Sequence, residues 1–446
     1  MKKLLLTLFI LLIIAGVAYW YFFMRVGTDV VLEPETPQSG FVPINRPGGG
    51  LVTGTEGTVP GDNRGSTSAT PGTQLKIPTL RLLSNTPAGG YGASTTGAVN
   101  AKPASTTTAI RWVDRGRGNV YEARGNTLDI VTLSNTVVPK LYESSWNKNL
   151  TGFIAFGLDD GDGFDRGGTS GGVYAELKAR IVPKIATSTT SPVSQTTGAT
   201  LTPYELKGKS LPENIIAYAS SPKRDRIFFL INENGAGSGY TAKFDGSSVV
   251  KIFSTPITQV NVEWPSENVI AITTKGAADS SGFLYFIDPK TGIWKKILGP
   301  LPGLSTKVST DAKRVFLSMA GNANNIISSI FNISEGKGID AIVRTLADKC
   351  VWGNFYKEMV YCAAPSQPIA GTYPDDWYVG RVSFVDKIWG INAITGEIDL
   401  VSSIVDTSDR VIDAFNLGLD EKDSFLIFMN KNDLSLWSLD LVSINN

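Results

Sequence analysis

Short segments in which apolar and polar residues alternate fill most of the chain after residue 76, and turn-forming residues separate them. Alternation with a period of two is typical of strands, whereas the three-and-four spacing of amphipathic helices is scarce beyond the first thirty residues. The chain has 46 Gly and 23 Pro among 446 residues, which supplies many turns. The pattern predicts an all-β protein.

One unit recurs along this region. It is a short strand that closes on a polar anchor residue and is usually followed by a Gly-containing turn. Repeats built from four short strands are typical of β-propellers, so we predict a seven-bladed β-propeller. The seven copies are NVYEARG, GVYAELK, TAKFDGS, LYFIDPKTG, SIFNISEG, IWGINAITG and LWSLDL, with anchors at Glu122, Glu176, Asp245, Asp288, Asn332, Asn392 and Asp440.

The last strand of the chain needs a partner. Leu436–Asp440 alternates like a strand, but too few residues follow it for a turn and another strand. The segment LRLLSNTPAGG, from Leu80 to Gly90, has the form of a fourth strand and its exit, yet no first three strands precede it. Because an open edge invites aggregation, we predict that this segment pairs beside Leu436–Asp440 and closes the ring.

An apolar run from Leu4 to Met24 follows two lysines at the amino terminus. At about 1.5 Å per residue the run spans roughly 30 Å, which is the thickness of a bilayer core. We predict an uncleaved signal anchor over residues 1–26, with the lysines in the cytoplasm by the positive-inside rule. The alternative is a signal peptide cleaved after the sequence Gly16-Val17-Ala18.

The domain organisation follows from this anchor. Residues 27–76 are rich in Gly, Pro, Ser and Thr and are predicted to be a flexible linker. Residues 77–446 form the predicted propeller ectodomain. The expected location is therefore the cell membrane, crossed once through residues 4–24, with the propeller outside the cytoplasm.

Charge and composition exclude several classes of function. The 41 basic residues equal the 41 acidic ones, and no basic block suggests nucleic-acid binding. The chain has no histidine, which excludes histidine general bases, Ser-His-Asp triads and histidine-ligated metals. These absences favour a protein that is not an enzyme, and no cofactor is expected, with calcium as the one cation to test.

The calcium hypothesis comes from the loop LDDGDGFDRGG. Asp159, Asp160, Asp162 and Asp165 place many carboxylate oxygens close together, as a hard cation prefers. Phe164 stands where an EF-hand-like loop would carry a ligand. The alternative interpretation is a solvated acidic turn.

A second acidic loop, GTYPDDWYVG, carries Asp375, Asp376, Trp377 and Tyr378 in an insertion between predicted second and third strands. Adjacent carboxylates and aromatic rings are suited to bind a sugar or a peptide, or to serve a two-carboxylate glycosidase. The alternative is that the aromatic side chains pin the loop to its blade. Both acidic loops are predicted to open on the same face of the propeller.

The two cysteines flank the segment CVWGNFYKEMVYC, which reads as a hairpin centred near Tyr356. Cys350 and Cys362 would then face each other on neighbouring strands, at a separation that a disulfide can span. Such a bond persists outside the cytoplasm. The alternative is a pair of free, buried thiols.

The last sequence feature is a set of motifs: IRWVDRGRGNVYE, PKLYESSW, GFLYFIDPKTG, KCVW with YCAAP, YPDDWY and IWGIN, and LWSLDL. These motifs resemble those of a family of uncharacterised, membrane-anchored propeller-like proteins from candidate-phyla bacteria and, more distantly, those of WD40- or TolB-like proteins. The resemblance implies the fold and the location, and it transfers no catalytic residue.

Two hypotheses of function remain. The first is a non-catalytic module that binds a protein or glycan partner through one face of the propeller. The second is a carboxylate-dependent enzyme that acts on cell-surface polysaccharide, which requires an acid and a base paired in a cleft.

Overall fold

The computed structural model describes residues 77–95, 107–138, 141–157, 172–179, 204–322 and 325–444, and residues 172–179 are described by their backbone alone. The predicted anchor, the linker and the acidic loop of Asp159, Asp160, Asp162 and Asp165 lie outside these residues. Within the described ranges, no helix is long and apolar enough to cross a membrane.

The strands of the described ranges form seven four-stranded antiparallel sheets, numbered here in chain order. Sheet 1 contains β2 (Ala88–Ser94), β3 (Ala109–Asp114), β4 (Val120–Arg124) and β5 (Ile130–Ser134). Sheet 2 contains β6 (Leu141–Trp146), β7 (Gly152–Gly157), β8 (Gly172–Ala179) and β9 (Tyr204–Ser210). Sheet 3 contains β10 (Ile215–Ser220), β11 (Arg226–Glu233), β12 (Ala236–Lys243) and β13 (Val250–Thr255).

The other sheets follow the same plan. Sheet 4 contains β14 (Val260–Ser266), β15 (Val269–Thr274), β16 (Ser281–Ile287) and β17 (Trp294–Pro302). Sheet 5 contains β18 (Ser305–Val308), β19 (Arg314–Ala320), β20 (Ile326–Asn332) and β21 (Lys337–Asp340). Sheet 6 contains β22 (Cys350–Trp352), β23 (Met359–Pro365), β24 (Asp386–Asn392) and β25 (Ile398–Ser402). Sheet 7 contains β26 (Ala414–Leu419), β27 (Phe425–Asn430), β28 (Leu436–Asp440) and β1 (Leu80–Ser84).

Helical structure in the described ranges is brief. A short 3₁₀ helix, Ala347–Lys349, precedes β22. Helix α1 (Asp375–Tyr378) lies in the insertion between β23 and β24, and helix α2 (Ile404–Ser408) follows β25.

Alternating side chains of one strand enter two different apolar clusters, and β11 shows the principle. Ile227 and Phe229 pack toward sheet 2, whereas Phe228 and Leu230 pack toward sheet 4. Successive side chains of a strand point to opposite faces of the sheet, so a central strand that is buried on both faces must be apolar throughout. The run IFFLI meets that requirement.

These clusters connect the sheets in a closed cycle. Each sheet shares an apolar cluster with the next one along the chain, from sheet 1 through sheet 7. A further cluster joins sheet 7 to sheet 1, through Ile427 and Leu436 on one side and Ile110 and Trp112 on the other. The prediction of an all-β propeller is confirmed.

The predicted closure of the ring is also confirmed. Strand β1 is the outer strand of sheet 7 and pairs antiparallel with β28, with Leu80 opposite Leu439 and Leu82 opposite Trp437. The two ends of the folded region therefore complete one sheet, which leaves no open edge on β28.

Five of the seven predicted anchor residues organise the turns after the third strands: Asp245, Asp288, Asn332, Asn392 and Asp440. Glu122 differs, because it lies within β4 and pairs with Arg111 and Arg124. Asp288 accepts hydrogen bonds from the backbone N–H groups of Lys290 and Thr291, at 2.8 and 2.9 Å. Asn392 does the same for Ile394 and Thr395. Such turns are a recurrent use of Asp and Asn, because their short side chains reach the backbone two residues on.

Candidate functional site

The insertion of residues 366–385 holds the four predicted binding residues, and Trp377 points into the protein. Its side chain is 4% exposed and packs with Tyr373 and Phe384. The indole Nε1 donates to both carboxylate oxygens of Asp413, at 3.0 and 3.1 Å. Trp377 thus ties the insertion to the segment that leads into β26.

The other three predicted residues also have partners in the protein. Asp375 accepts a hydrogen bond from the backbone N–H of Ala278, at 2.7 Å. Asp376 accepts one from the N–H of Thr372 and another from Arg381, both at 2.7 Å, and these bonds lower the pKa of its carboxyl. The hydroxyl of Tyr378 donates to Asp348 at 3.1 Å. The adjacent carboxylates therefore brace the loop.

A fully buried lysine lies beneath this insertion. Lys349 is 0% exposed, and its Nζ lies 2.8 Å from Oδ2 of Asp386 and in hydrogen-bond contact with Oδ1 of Asp413. The Nζ also donates to the carbonyl of Ala414 at 2.8 Å. Both carboxylates are 0% exposed as well, so the Lys349 cluster, defined as Lys349, Asp386 and Asp413, has no access to water.

A pocket of about 200 Å³, called here the channel pocket, is lined by residues of the first strands of sheets 4 to 7 and of adjacent segments. The lining residues are Asn261, Val262, Glu263, Thr273, Thr306, Lys307, Asp348, Cys350, Asn416 and Leu417.

The charged groups of the channel pocket are already compensated within the protein. Glu263 lies 3.7 Å from Lys307 and accepts a hydrogen bond from the N–H of Val308 at 3.3 Å. Burial raises the pKa of Glu263, and the nearby lysine opposes that shift. Asp348 accepts hydrogen bonds from Ser305 and Tyr378. Tyr378, one of the predicted site residues, thus contacts a residue that lines the channel pocket.

Arg224, which follows β10 in sheet 3, donates to the carbonyl of Ala93 in sheet 1 at 3.0 Å, although sheets 1 and 3 are not adjacent in the cycle. Burial lowers the pKa of Arg224, and the charge of Glu421, from the turn after β26, counteracts that shift. Glu421 in turn accepts the N–H of Thr95 at 2.8 Å. Sheets 1, 3 and 7 are therefore linked at the end of the ring that carries the turns between first and second strands.

At that same end, the turn between β22 and β23 presents two aromatic rings to solvent. Phe355 is 64% exposed and Tyr356 is 49% exposed. Their ring centroids are 4.9 Å apart and their planes are at 85°, an edge-to-face pair. We call residues 353–358 the aromatic turn.

Neighbouring sheets hold the backbone of the aromatic turn. Asp423, which is 4% exposed, accepts hydrogen bonds from the N–H groups of Asn354, Phe355 and Tyr356 at 2.8, 3.0 and 2.9 Å. Thr310 of the turn after β18 donates to the carbonyl of Gly353 at 3.0 Å. The turn is thus attached to sheets 5 and 7 on both sides.

The predicted disulfide closes the base of this hairpin. Cys350 and Cys362 are directly opposite each other in the β22–β23 ladder, their Cα atoms are 4.1 Å apart, and they are bonded. The prediction from the sequence is confirmed, and no described cysteine is free.

Sequence reasoning treated this hairpin as a disulfide element and missed the aromatic turn as a surface. The signal was present, because two adjacent aromatic residues at a hairpin tip cannot both enter a sheet core. The predicted binding face was that of the insertion, at the other end of β23. In the described ranges, no group of three or more acidic or cysteine side chains is placed to hold a metal. The calcium hypothesis concerns a loop outside those ranges and stays a prediction.

Comparison with known proteins supplies similarity of fold only. No protein-family model and no curated protein match the sequence. Solved structures that match include TolB from Acinetobacter baumannii, at 12% identity over 73% of this chain and 60% of that chain, with a TM-score of 0.37. An oligogalacturonate lyase from Vibrio parahaemolyticus matches at 8% identity over 81% and 93%, with a TM-score of 0.47.

The β-propeller domain of the Trilobed protease from Pyrococcus furiosus matches at 12% identity over 65% of this chain and 77% of that chain, with a TM-score of 0.39. Two of these structures belong to proteins named as enzymes, a lyase and a protease, and one of them is named as a β-propeller domain. Identities this low transfer no activity. The assignment of the fold rests on the sheet topology described above.

Proposed function

We propose that this protein is a membrane-anchored, non-catalytic propeller that binds a protein partner outside the cytoplasm. The observation that carries the proposal is the aromatic turn, where Phe355 and Tyr356 are exposed on a backbone that Asp423 already holds. Exposed aromatic side chains on a rigid element are typical anchors of protein interfaces, because little conformational entropy is lost on binding.

The geometry of the two rings favours a protein over a glycan. A sugar stacks on the open face of an aromatic ring. The ring planes here are at 85°, so the edge of one ring is directed at the face of the other and fewer faces are open to a sugar. Lys357 keeps its Nζ within the turn, 3.0 Å from the carbonyl of Asn354, so the apolar rings are the prominent feature.

The anchor belongs to the proposal and is supported by the sequence. The run of residues 4–24 is long enough to span a bilayer. The Cys350–Cys362 bond is of a kind that persists outside the cytoplasm. Protease added to intact cells whose outer layers are permeable should digest the propeller and spare a tag at residue 1. A mature chain that begins at Tyr19 would instead establish a cleaved signal peptide.

Site-specific crosslinking tests the binding surface in the full-length chain. A photo-crosslinking amino acid at Phe355 should capture a protein in the native cells, and the same group at Ile342 should not. Ile342 is a suitable control because it is 75% exposed but lies after β21, at the opposite end of its sheet. Phe355→Ala should then weaken binding of the purified partner at least about tenfold, or about 1.4 kcal/mol.

Two results would contradict the proposal. The first is equal capture at both positions, and the second is unchanged affinity of the Phe355→Ala variant. Capture of a glycan at Phe355 would establish the other class of partner and overturn the preference for protein.

The channel pocket supports a second candidate function, a carboxylate-dependent enzyme that acts on cell-surface polysaccharide. Glu263 and Asp348 both line this pocket, and burial raises the pKa of Glu263, as a general acid requires. Against this function, Lys307 compensates Glu263, and two hydroxyl groups bind Asp348. Release of new reducing ends from purified cell-wall polysaccharide by the full-length protein would establish it.

A further inference from the structure

The Lys349 cluster has a chemistry that neither hypothesis of function uses. Its three ionisable side chains are fully enclosed, and the rings of Trp377 and Phe384 lie 5.2 and 5.0 Å from Nζ of Lys349. Isolated charges are costly in such surroundings, so the cluster favours protonation states without net charge.

Two arrangements of the cluster have no net charge and hold the same number of protons. In the first, an ammonium group faces one carboxylate and one neutral carboxylic acid. In the second, a neutral amine faces two carboxylic acids. Moving one proton over a hydrogen bond converts the first into the second, and a low dielectric makes the two arrangements closer in free energy than they are in water. The second form contains an amine nucleophile beside a neutral carboxyl group.

Asp413 carries hydrogen-bond donors that suit an electrophilic carboxyl group. Besides the indole of Trp377, the hydroxyl of Ser383 and the N–H of Phe384 donate to its Oδ2, at 3.2 and 3.1 Å. Donors fixed in a buried site stabilise a carboxylate, and they also stabilise the negative oxygen that develops when a nucleophile adds to a carboxyl carbon.

Asp386 is placed to exchange a proton with the amine of Lys349. Its Oδ2 contacts Nζ of Lys349 and accepts the N–H of Ala414, whereas its Oδ1 is buried without a hydrogen-bond partner in the described part of the chain. Burial raises the pKa of Asp386 to about 6, although Lys349 opposes this shift. A carboxyl of that pKa exchanges protons readily near neutral pH.

We propose that Lys349 and Asp413 are joined by an intramolecular amide bond in the mature protein. Nζ of Lys349 adds to Cγ of Asp413, Asp386 accepts a proton from the nitrogen and returns one to the departing hydroxyl, and one water molecule leaves. One C–N bond forms and one C–O bond breaks, with no oxidant or reductant. The bond would join the segments that lead into β22 and β26, the innermost strands of sheets 6 and 7.

Mass spectrometry of the full-length protein tests this bond. After denaturation and reduction, the intact chain should be lighter than its sequence by one water molecule. Trypsin should fail to cleave after Lys349 and should yield residues 345–357 joined to residues 411–422. The Lys349→Arg chain should have the mass of its sequence and yield no joined peptide. The Asp386→Asn chain keeps both bonding partners and should contain at least tenfold less of the joined peptide.

A wild-type chain at the mass of its sequence, with cleavage after Lys349, would overturn the proposal whether or not the variants fold. Residues 345–357 joined to residues 382–387 would overturn the assignment of Asp413 and identify Asp386 as the acceptor. Undiminished linkage in the Asp386→Asn chain would overturn the role of Asp386 in proton transfer.

Discussion

The loops at the two ends of strand β23 each contain two adjacent aromatic residues. Only Tyr378 of the pair in the insertion is exposed, whereas both rings of the aromatic turn are exposed. At one end, Trp377 is buried against Asp413. At the other end, Phe355 and Tyr356 are exposed while Asp423 binds their backbone. In both places a buried carboxylate organises the loop. The difference is that Asp413 bonds to the ring, which fixes the ring inside, whereas Asp423 bonds to the main chain, which leaves the rings free.

This contrast distinguishes an aromatic side chain that stabilises its loop from one that is available to bind a partner. A loop that uses its aromatic residue as an anchor cannot also offer that residue to a partner. A loop held through its backbone can present its side chains without unfolding. The insertion covers the Lys349 cluster through Trp377 and Phe384, and we propose the aromatic turn as the binding surface.

The largest expected effect is on the buried side of the comparison. Trp377→Ala removes a large core side chain and leaves Asp413 without its indole partner, so the free energy of unfolding should fall by about 3–5 kcal/mol. Chemical denaturation of the full-length protein measures this. Phe355→Ala is the matched control, because an exposed side chain should change stability by less than about 0.5 kcal/mol. Equal losses for both variants would remove the distinction between the two ends of β23.

A smaller effect is expected when the support of the aromatic turn is removed. Asp423→Ala deletes the acceptor of three backbone N–H groups, so unfolding should become easier by about 1–3 kcal/mol and amide exchange of residues 354–356 should accelerate. Asp423 has a φ of 56°, a left-handed conformation that Asn tolerates better than Ala. Asp423→Asn keeps one oxygen acceptor and should lose less. Unchanged exchange in the Ala variant would show that the turn is held by other contacts.

The architecture could be predicted from the sequence because strands and turns depend on residues that are close together in the chain. Alternation, turn residues and the orphan segment at Leu80 were enough to predict a propeller closed by β1 and β28. The hairpin around Tyr356 was enough to predict the Cys350–Cys362 bond, since opposite positions on adjacent strands follow from the turn. Side chains of one repeat contact each other across strands that a single turn connects. The two-residue period of apolar positions is enough to predict these contacts.

The direction that each loop side chain takes was decided only by the tertiary structure. Trp377 and Asp413 are 36 residues apart, and Asn354 and Asp423 are 69 apart, so each contact forms only when sheets 6 and 7 pack against each other. Lys349 looks like an ordinary surface lysine in the sequence, yet it is fully buried because two distant carboxylates lie beside it. The period of the apolar positions and the residue types of the turns determine where the strands lie and the order in which they follow each other. The partners of a buried charge depend on how the loops and strands of adjacent sheets pack against each other.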